Sequence, residues 1–198
     1  QEAYIKASNT GAKDSFGTIA LSGDTLVVGA TGEDSNGIGG SQTNNSLSSA
    51  GAAYVFVRVG KTWSQQAYLK ASNLDEDDRF GGAVAIDGDT IAIGAVGESS
   101  NATGIDGAQA DNSKGDAGAV YVFVRNGSTW TQQAYVKASN TAGGASFGGE
   151  VALSGDTLVV GSSNESGSAI GVNGDQSIFS TTKSGAAYVF TRASGVWS

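Results

Sequence analysis

Short runs of alternating apolar and polar residues punctuate this chain, and each run occurs three times. After a Phe-Gly pair (Phe16-Gly17, Phe80-Gly81, Phe147-Gly148), apolar side chains fall two apart at Ile19 and Leu21, Val84 and Ile86, and Val151 and Leu153. A period of two predicts a strand. The tetrapeptides at 22–25, 87–90 and 154–157 (SGDT, DGDT, SGDT) then set Gly and Asp between two apolar runs, the composition of a tight hairpin in which glycine supplies a positive φ. A second run reads LVVGA, IAIGA or LVVGS. The third (AAYVFVR, AVYVFVR, AAYVFTR) puts Tyr54 and Phe56, Tyr121 and Phe123, and Tyr188 and Phe190 on one face, with Val55, Val122 and Val189 on the other. Strands apolar on both faces predict sheets packed face against face. The fourth runs through TWSQQAYLKAS (62–72) and TWTQQAYVKAS (129–139), where Lys70 and Ser72 predict a wetter outer edge.

The recurrence spans the whole sequence. Tyr4, Tyr68 and Tyr135 are spaced by 64 and 67 residues, and Trp63, Trp130 and Trp197 by 67 and 67, which divides the 198 residues into units of about 9–72, 73–139 and 140–198. No stretch carries the three-to-four spacing of an amphipathic helix, and parallel β-helix coils are shorter, roughly 20 to 30 residues. Four antiparallel strands repeated in series predict an all-β chain of β-propeller blades. The third unit stops at Val196-Trp197-Ser198, while the chain opens on QEAYIKAS; end to end they rebuild one fourth strand, so residues 1–8 are expected to complete the split blade. Known propellers hold about 4 to 8 blades. Three are too few for a ring, and a homodimer of six blades is expected, with Trp197 and Tyr4 as the residues that join the copies. A fragment of a longer propeller is the alternative origin, and it too needs a partner to close.

The Phe-Gly opening, the following apolar alternation, and Gly29-Ala30, Gly94-Ala95 and Gly161-Ser162, together with GAVYVF in the third strand, resemble the FG-GAP repeat of integrin α-chain propellers, most of all the versions in bacterial surface or secreted proteins. Two features differ. The proline of that motif is replaced by Thr31, Val96 and Ser163, and the calcium loop between strands one and two is reduced to the Gly-Asp turn, which makes integrin-type calcium at that place unexpected. The resemblance implies a recognition or adhesion module.

Composition narrows the chemistry. A net charge of −8 and a pI near 4.3 repel phosphate backbones, so nucleic acid is not an expected partner. Cysteine is absent, which excludes disulfides and thiolate metal sites. No apolar run approaches the roughly 20 residues that span a bilayer, so no membrane insertion is expected, and an extracellular or cell-surface protein would on this reading have lost its signal segment. Histidine is absent too, removing the commonest general base and most zinc chemistry. No enzyme activity is expected. The glycine string at 37–40 is not followed by a helix and is no dinucleotide fingerprint.

Variation concentrates in the connections between strands two and three, at 31–51, 96–118 and 163–185, longer than the about 12 to 15 residues of ordinary loops. Each has an acid, then an apolar residue among glycines (Ile38, Ile105, Val172) expected to tuck back on its blade, then Gln42, Gln109 or Gln176. In an antiparallel blade these loops emerge at the same end as the acidic run Asp75, Glu76, Asp77 and Asp78, so the three glutamines and this run are the candidate ligand-binding residues. A solvated loop is the other reading of the run. No cofactor is required on this view; calcium is the alternative, with Glu33, Asp34, Asp106, Asp111 and Asp175 as oxygen ligands. Two functions remain open. One is a recognition module that binds a protein or a glycan; the other is a structural or engineered propeller piece whose activity is self-assembly. Only Phe179 offers an aromatic in the loops, which weakens a lectin.

Overall fold

A computed structural model describes residues 1–37 and 42–198; the tuck expected of Ile38 lies outside the described residues. The chain folds into three four-stranded antiparallel sheets, each in sequence order, with no helix among the described residues. The first holds β1 (Phe16–Ser22), β2 (Thr25–Ala30), β3 (Ala52–Val59) and β4 (Thr62–Leu69). The second holds β5 (Phe80–Asp87), β6 (Thr90–Ala95), β7 (Ala119–Asn126) and β8 (Thr129–Val136). The third holds β9 (Phe147–Ser154), β10 (Thr157–Ser162), β11 (Ala186–Ala193) and a short β12 (Val196–Trp197). Each hairpin turns on its Gly-Asp pair, with Gly23, Gly88 and Gly155 at φ near +55°. Registers repeat: Tyr54 faces Tyr68 across β3 and β4 as Tyr121 faces Tyr135 across β7 and β8.

The sheets stack as blades through their inner strands. Within a blade, Phe80 packs edge-on against Tyr121 and Phe123, as Phe147 does against Tyr188 and Phe190. The Phe-Gly and Gly-Ala motifs meet across the blade junctions. A Cβ on Gly29 would collide with the Gly81 carbonyl oxygen, and one on Gly94 with that of Gly148. Backbone approaches backbone there, and only glycine leaves room. At the two ends of the stack the same glycines have no neighbouring blade: an added Cβ on Gly17 meets nothing within 4 Å, and the three atoms nearest one on Gly161 all belong to Glu150 of its own sheet.

The middle blade is therefore covered on both faces and the outer blades on one. Val55 and Val122 are fully buried, whereas Val189 is 65% exposed; Val84 and Ile86 pack on the core, whereas Ile19 is 68% exposed. Burial on both faces is met in β3 and β7 and fails in β11, where it alternates.

One expectation is corrected. Lys70 does not mark a wet edge: β4 ends at Leu69, and Lys70 is fully buried, as is Lys137 in the second blade.

Candidate functional site

The buried lysines explain how the long loops are held. In the first blade Glu33, the acid at the start of loop 31–51, accepts at Oε2 from the Lys70 ammonium (2.9 Å), the Tyr68 hydroxyl (2.8 Å) and the Ser35 hydroxyl (2.9 Å), and at Oε1 from the Asn9 amide (2.8 Å). Burial alone would raise the Glu33 carboxyl, but the Lys70 ammonium and these hydroxyls outweigh it and hold it below the usual carboxylate range. Burial also draws the Lys70 ammonium below its ordinary value, and pushes the Tyr68 hydroxyl far above its own. The second blade repeats the arrangement: Glu98 accepts from Lys137 (2.6 Å), Tyr135 (2.8 Å), the Ser100 backbone N–H (3.1 Å) and Asn73 (2.9 Å). Each lysine reaches its glutamate across the blade, from the end of the fourth strand to the start of the loop.

The Ser-Asn pair that follows each lysine ties the fourth strand to the next blade. Asn73 donates to Glu98 and accepts from the Tyr121 hydroxyl (2.5 Å), and Ser72 donates to Gln109 (2.7 Å). Asn140 and Ser139 repeat this toward Glu165, Tyr188 and Gln176, and Asn9 and Ser8 toward Glu33, Tyr54 and Gln42. Gln42, Gln109 and Gln176 thus each spend their carbonyl on a serine of the chain itself.

The loops and the acidic run do gather at one end. The Asp77 N–H donates to the Ser48 carbonyl (2.9 Å) of the first loop, and Asn112 of the second loop donates to the Asp75 carboxylate (2.6 Å). Asp75, Glu76 and Asp77 point to solvent, while Asp78 is buried and accepts from the Asp75 N–H (2.9 Å). Burial, with the Glu98 and Asp75 charges nearby, pushes the Asp78 carboxyl up to about 7.

The five acids expected around calcium do not converge. Glu33 is paired with Lys70, Asp34 accepts from the Ser49 N–H, Asp106 from the Tyr135 N–H, Asp111 from the Ser113 N–H and Asp175 from the Ser177 N–H. Among the described residues no group of three acidic side chains is placed to share one ion. The tucked residue holds for Ile105, which bridges Val136 and packs on the second core, and fails for Val172, which is 91% exposed.

The assembly residues sit differently from each other. Trp197 is buried within the chain, its ring under the Arg192 guanidinium (5.0 Å) and its N–H donating to Gln133 of the middle blade (2.9 Å). Tyr4 is 80% exposed. The Glu-Tyr-Lys knots were not foreseen, although glutamates 33, 98 and 165 recur in step with lysines 6, 70 and 137. That joint recurrence was the available signal.

A search of curated proteins finds none that matches this sequence. The FG-GAP repeat family model matches residues 1–56, 63–123 and 130–190. Each match starts with the fourth strand of one blade or its equivalent and ends in the third strand of the next, so the sequence repeat is offset from the blade by one strand. FG-GAP repeat propellers are generally non-catalytic and typically extracellular, and no helix among the described residues is long and apolar enough to cross a membrane. With three matches covering most of its length and three blades built on the Phe-Gly and Gly-Ala contacts, the chain belongs to the FG-GAP repeat family of β-propeller modules.

Proposed function

We propose that this chain is an extracellular, non-catalytic recognition module that presents loops 31–51, 96–118 and 163–185 and the Asp75–Asp78 run as one ligand face, for a protein or a glycan. The observation that carries the reading is the bracing of these loops: the first two start at a buried glutamate tied into its blade by a lysine and a tyrosine, the third at Glu165, which accepts from Asn140, and the loops are joined to the next inter-blade connection by backbone bonds, as from Arg79 N–H to Ser49 (3.0 Å) and Ser146 N–H to Asp116 (3.0 Å). Loops fixed in this way cost little ordering entropy on binding. Exposed Asp75, Glu76 and Asp77 favour a basic protein surface over a neutral glycan, to which the loops offer one aromatic, Phe179, half exposed. The test is capture of surface proteins and glycans on the immobilised chain, repeated with Asp75→Asn, Glu76→Gln and Asp77→Asn combined. Binding unaffected by that triple variant would refute the assigned face.

A second reading, self-assembly into a closed six-bladed ring of two copies, is favoured by the uncovered faces of the outer blades, where Ile19 and Val189 lie open and Gly17 and Gly161 lack the contacts their counterparts make. The two readings are compatible: assembly would bring two loop faces to one end of a ring.

A further inference from the structure

The second blade's knot brings an amine and a side-chain amide onto one buried carboxylate. Glu98 accepts at Oε1 from the Asn73 amide (2.9 Å), the Tyr135 hydroxyl (2.8 Å) and the Ser100 N–H (3.1 Å), and at Oε2 from the Lys137 ammonium (2.6 Å). Asn73 is held from its other side as well, since the hydroxyl of fully buried Tyr121 donates to its Oδ1 (2.5 Å). The side chains of Lys137 and Glu98 are 0% and 1% exposed, so water is kept from them. A nucleophile, a base, an acyl carbon and a donor to the acyl oxygen are the parts of an acyl transfer. All four are present.

The first two blades share these groups but divide the donors differently. In the first, the oxygen that takes the lysine is crowded: Glu33 Oε2 accepts from Lys70, from the Tyr68 and Ser35 hydroxyls and from the Ser35 N–H (3.2 Å), leaving Oε1 to Asn9. In the second, the tyrosine and the serine N–H sit on the other oxygen, and among the described residues Oε2 accepts from Lys137 alone. An oxygen with its lone pairs filled by donors is a poor base, whereas Glu98 Oε2 has room for a proton. Burial also draws the Lys137 ammonium below its ordinary value, which eases the loss of that proton.

We propose that the second blade cross-links itself, Lys137 Nζ attacking the Asn73 side-chain amide carbon so that an isopeptide bond replaces the buried ion pair. Glu98 Oε2 takes one proton from Nζ, and the freed lone pair forms the new C–N bond to Cγ. The amide oxygen becomes negative under the Tyr121 hydroxyl. Glu98 then passes its proton to Nδ2 and takes a second from Nζ, the Cγ–Nδ2 bond breaks, and ammonia leaves. One lysine ammonium, one carboxylate and one amide thus become a substituted amide, a neutral carboxylic acid and ammonia, with no oxidant or other reactant. Two charges held out of water at a cost disappear, which favours the product. Holding amine and amide on one carboxylate makes the reaction intramolecular and lowers its barrier. The bond joins the residue after β8 to a residue that follows β4, so it staples the outer strands of two adjacent blades.

The experiment is mass spectrometry of the whole 198-residue chain, first intact and denatured, then after trypsin. The expected intact mass is lower than the sequence mass by one ammonia. Trypsin does not cut at an acylated lysine, so residues 71–79 should emerge joined to residues 126–183, with fragmentation placing the link between Asn73 and Lys137. Cyclisation of Gln1 or a succinimide at an Asn-Gly pair loses the same mass but joins no peptides. Lys137→Met with Glu98→Gln removes the nucleophile and the base together and leaves no buried charge without a partner, so circular dichroism should show the fold kept while the joined peptide vanishes. The matching change in the first blade, Lys70→Met with Glu33→Gln, should leave the joined peptide in place. An unaltered chain that yields residues 71–79 free overturns the proposal, and so does a joined peptide that survives Lys137→Met with Glu98→Gln. A link between Lys70 and Asn9 in its stead overturns the assignment to Glu98 Oε2.

Discussion

Replacing Lys70 by Met tests whether the knot holds the loop in place. The Met fills the same apolar path but leaves Glu33 buried with only neutral donors. At 2.9 Å and an effective dielectric of about 20, the lost attraction is about 6 kcal/mol. Removing both charges from water costs several kcal/mol each, so the intact pair stabilises little in net terms, whereas breaking it costs about 3 to 5 kcal/mol. Urea unfolding of Lys70→Met should show that loss, and Lys70→Met with Glu33→Gln should recover most of it. The acid side gives a second check. Because the Glu33 carboxyl is held below its ordinary value, its contribution is present above the ordinary carboxylate range and is lost as the pH falls through the lowered folded value. Lys70→Met should abolish that acid-side loss. A penalty under about 1 kcal/mol, or no recovery in the double variant, refutes a dry, structural ion pair.

Three further outcomes follow from the same geometry. Asp78 is raised to about 7, so its contribution is complete below about 4 and is lost as pH rises toward 7; Asp78→Asn keeps an acceptor for the Asp75 N–H and should gain up to ~4 kcal/mol over the unaltered chain between pH 4 and pH 8, read from melting curves. Gly94→Ala forces a Cβ onto the Gly148 carbonyl and should cost about 2 kcal/mol or more by denaturant unfolding, while Gly17→Ala, with open space around it, should leave the single chain's stability within about 0.5 kcal/mol. Because the acidic candidates are each engaged by backbone N–H groups or by Lys70, adding a chelator should leave the melting temperature unchanged; a drop would show a metal bound to the native state.

The blade was legible because its signals are local. Alternation two apart and Gly-Asp turns lie within short windows, and the observed strand ends at Ala30 and Ala52, Ala95 and Ala119, and Ser162 and Ala186 bracket the three long loops where variation placed them. The knots were not legible from local pattern. Lys70 looks like an edge residue beside Ser72, and its partner Glu33 is 37 positions away in a loop whose acids read equally well as metal ligands. The same distance hid the bonds that the amide oxygens of Gln42, Gln109 and Gln176 accept, since the serines that donate them, Ser8, Ser72 and Ser139, lie 34 or 37 positions earlier. The split strand pairs Trp197 with Tyr4, but their environments differ: Trp197 packs on the middle blade and Tyr4 is exposed.

The self-assembly proposal requires the outer faces of the three-blade stack to be complementary to each other and to be covered by a second copy. Sedimentation equilibrium of the 198-residue chain across a wide concentration range tests it directly. The expected result is a species of twice the 19.7 kDa chain mass that persists on dilution; a single compact 19.7 kDa species at every concentration contradicts it.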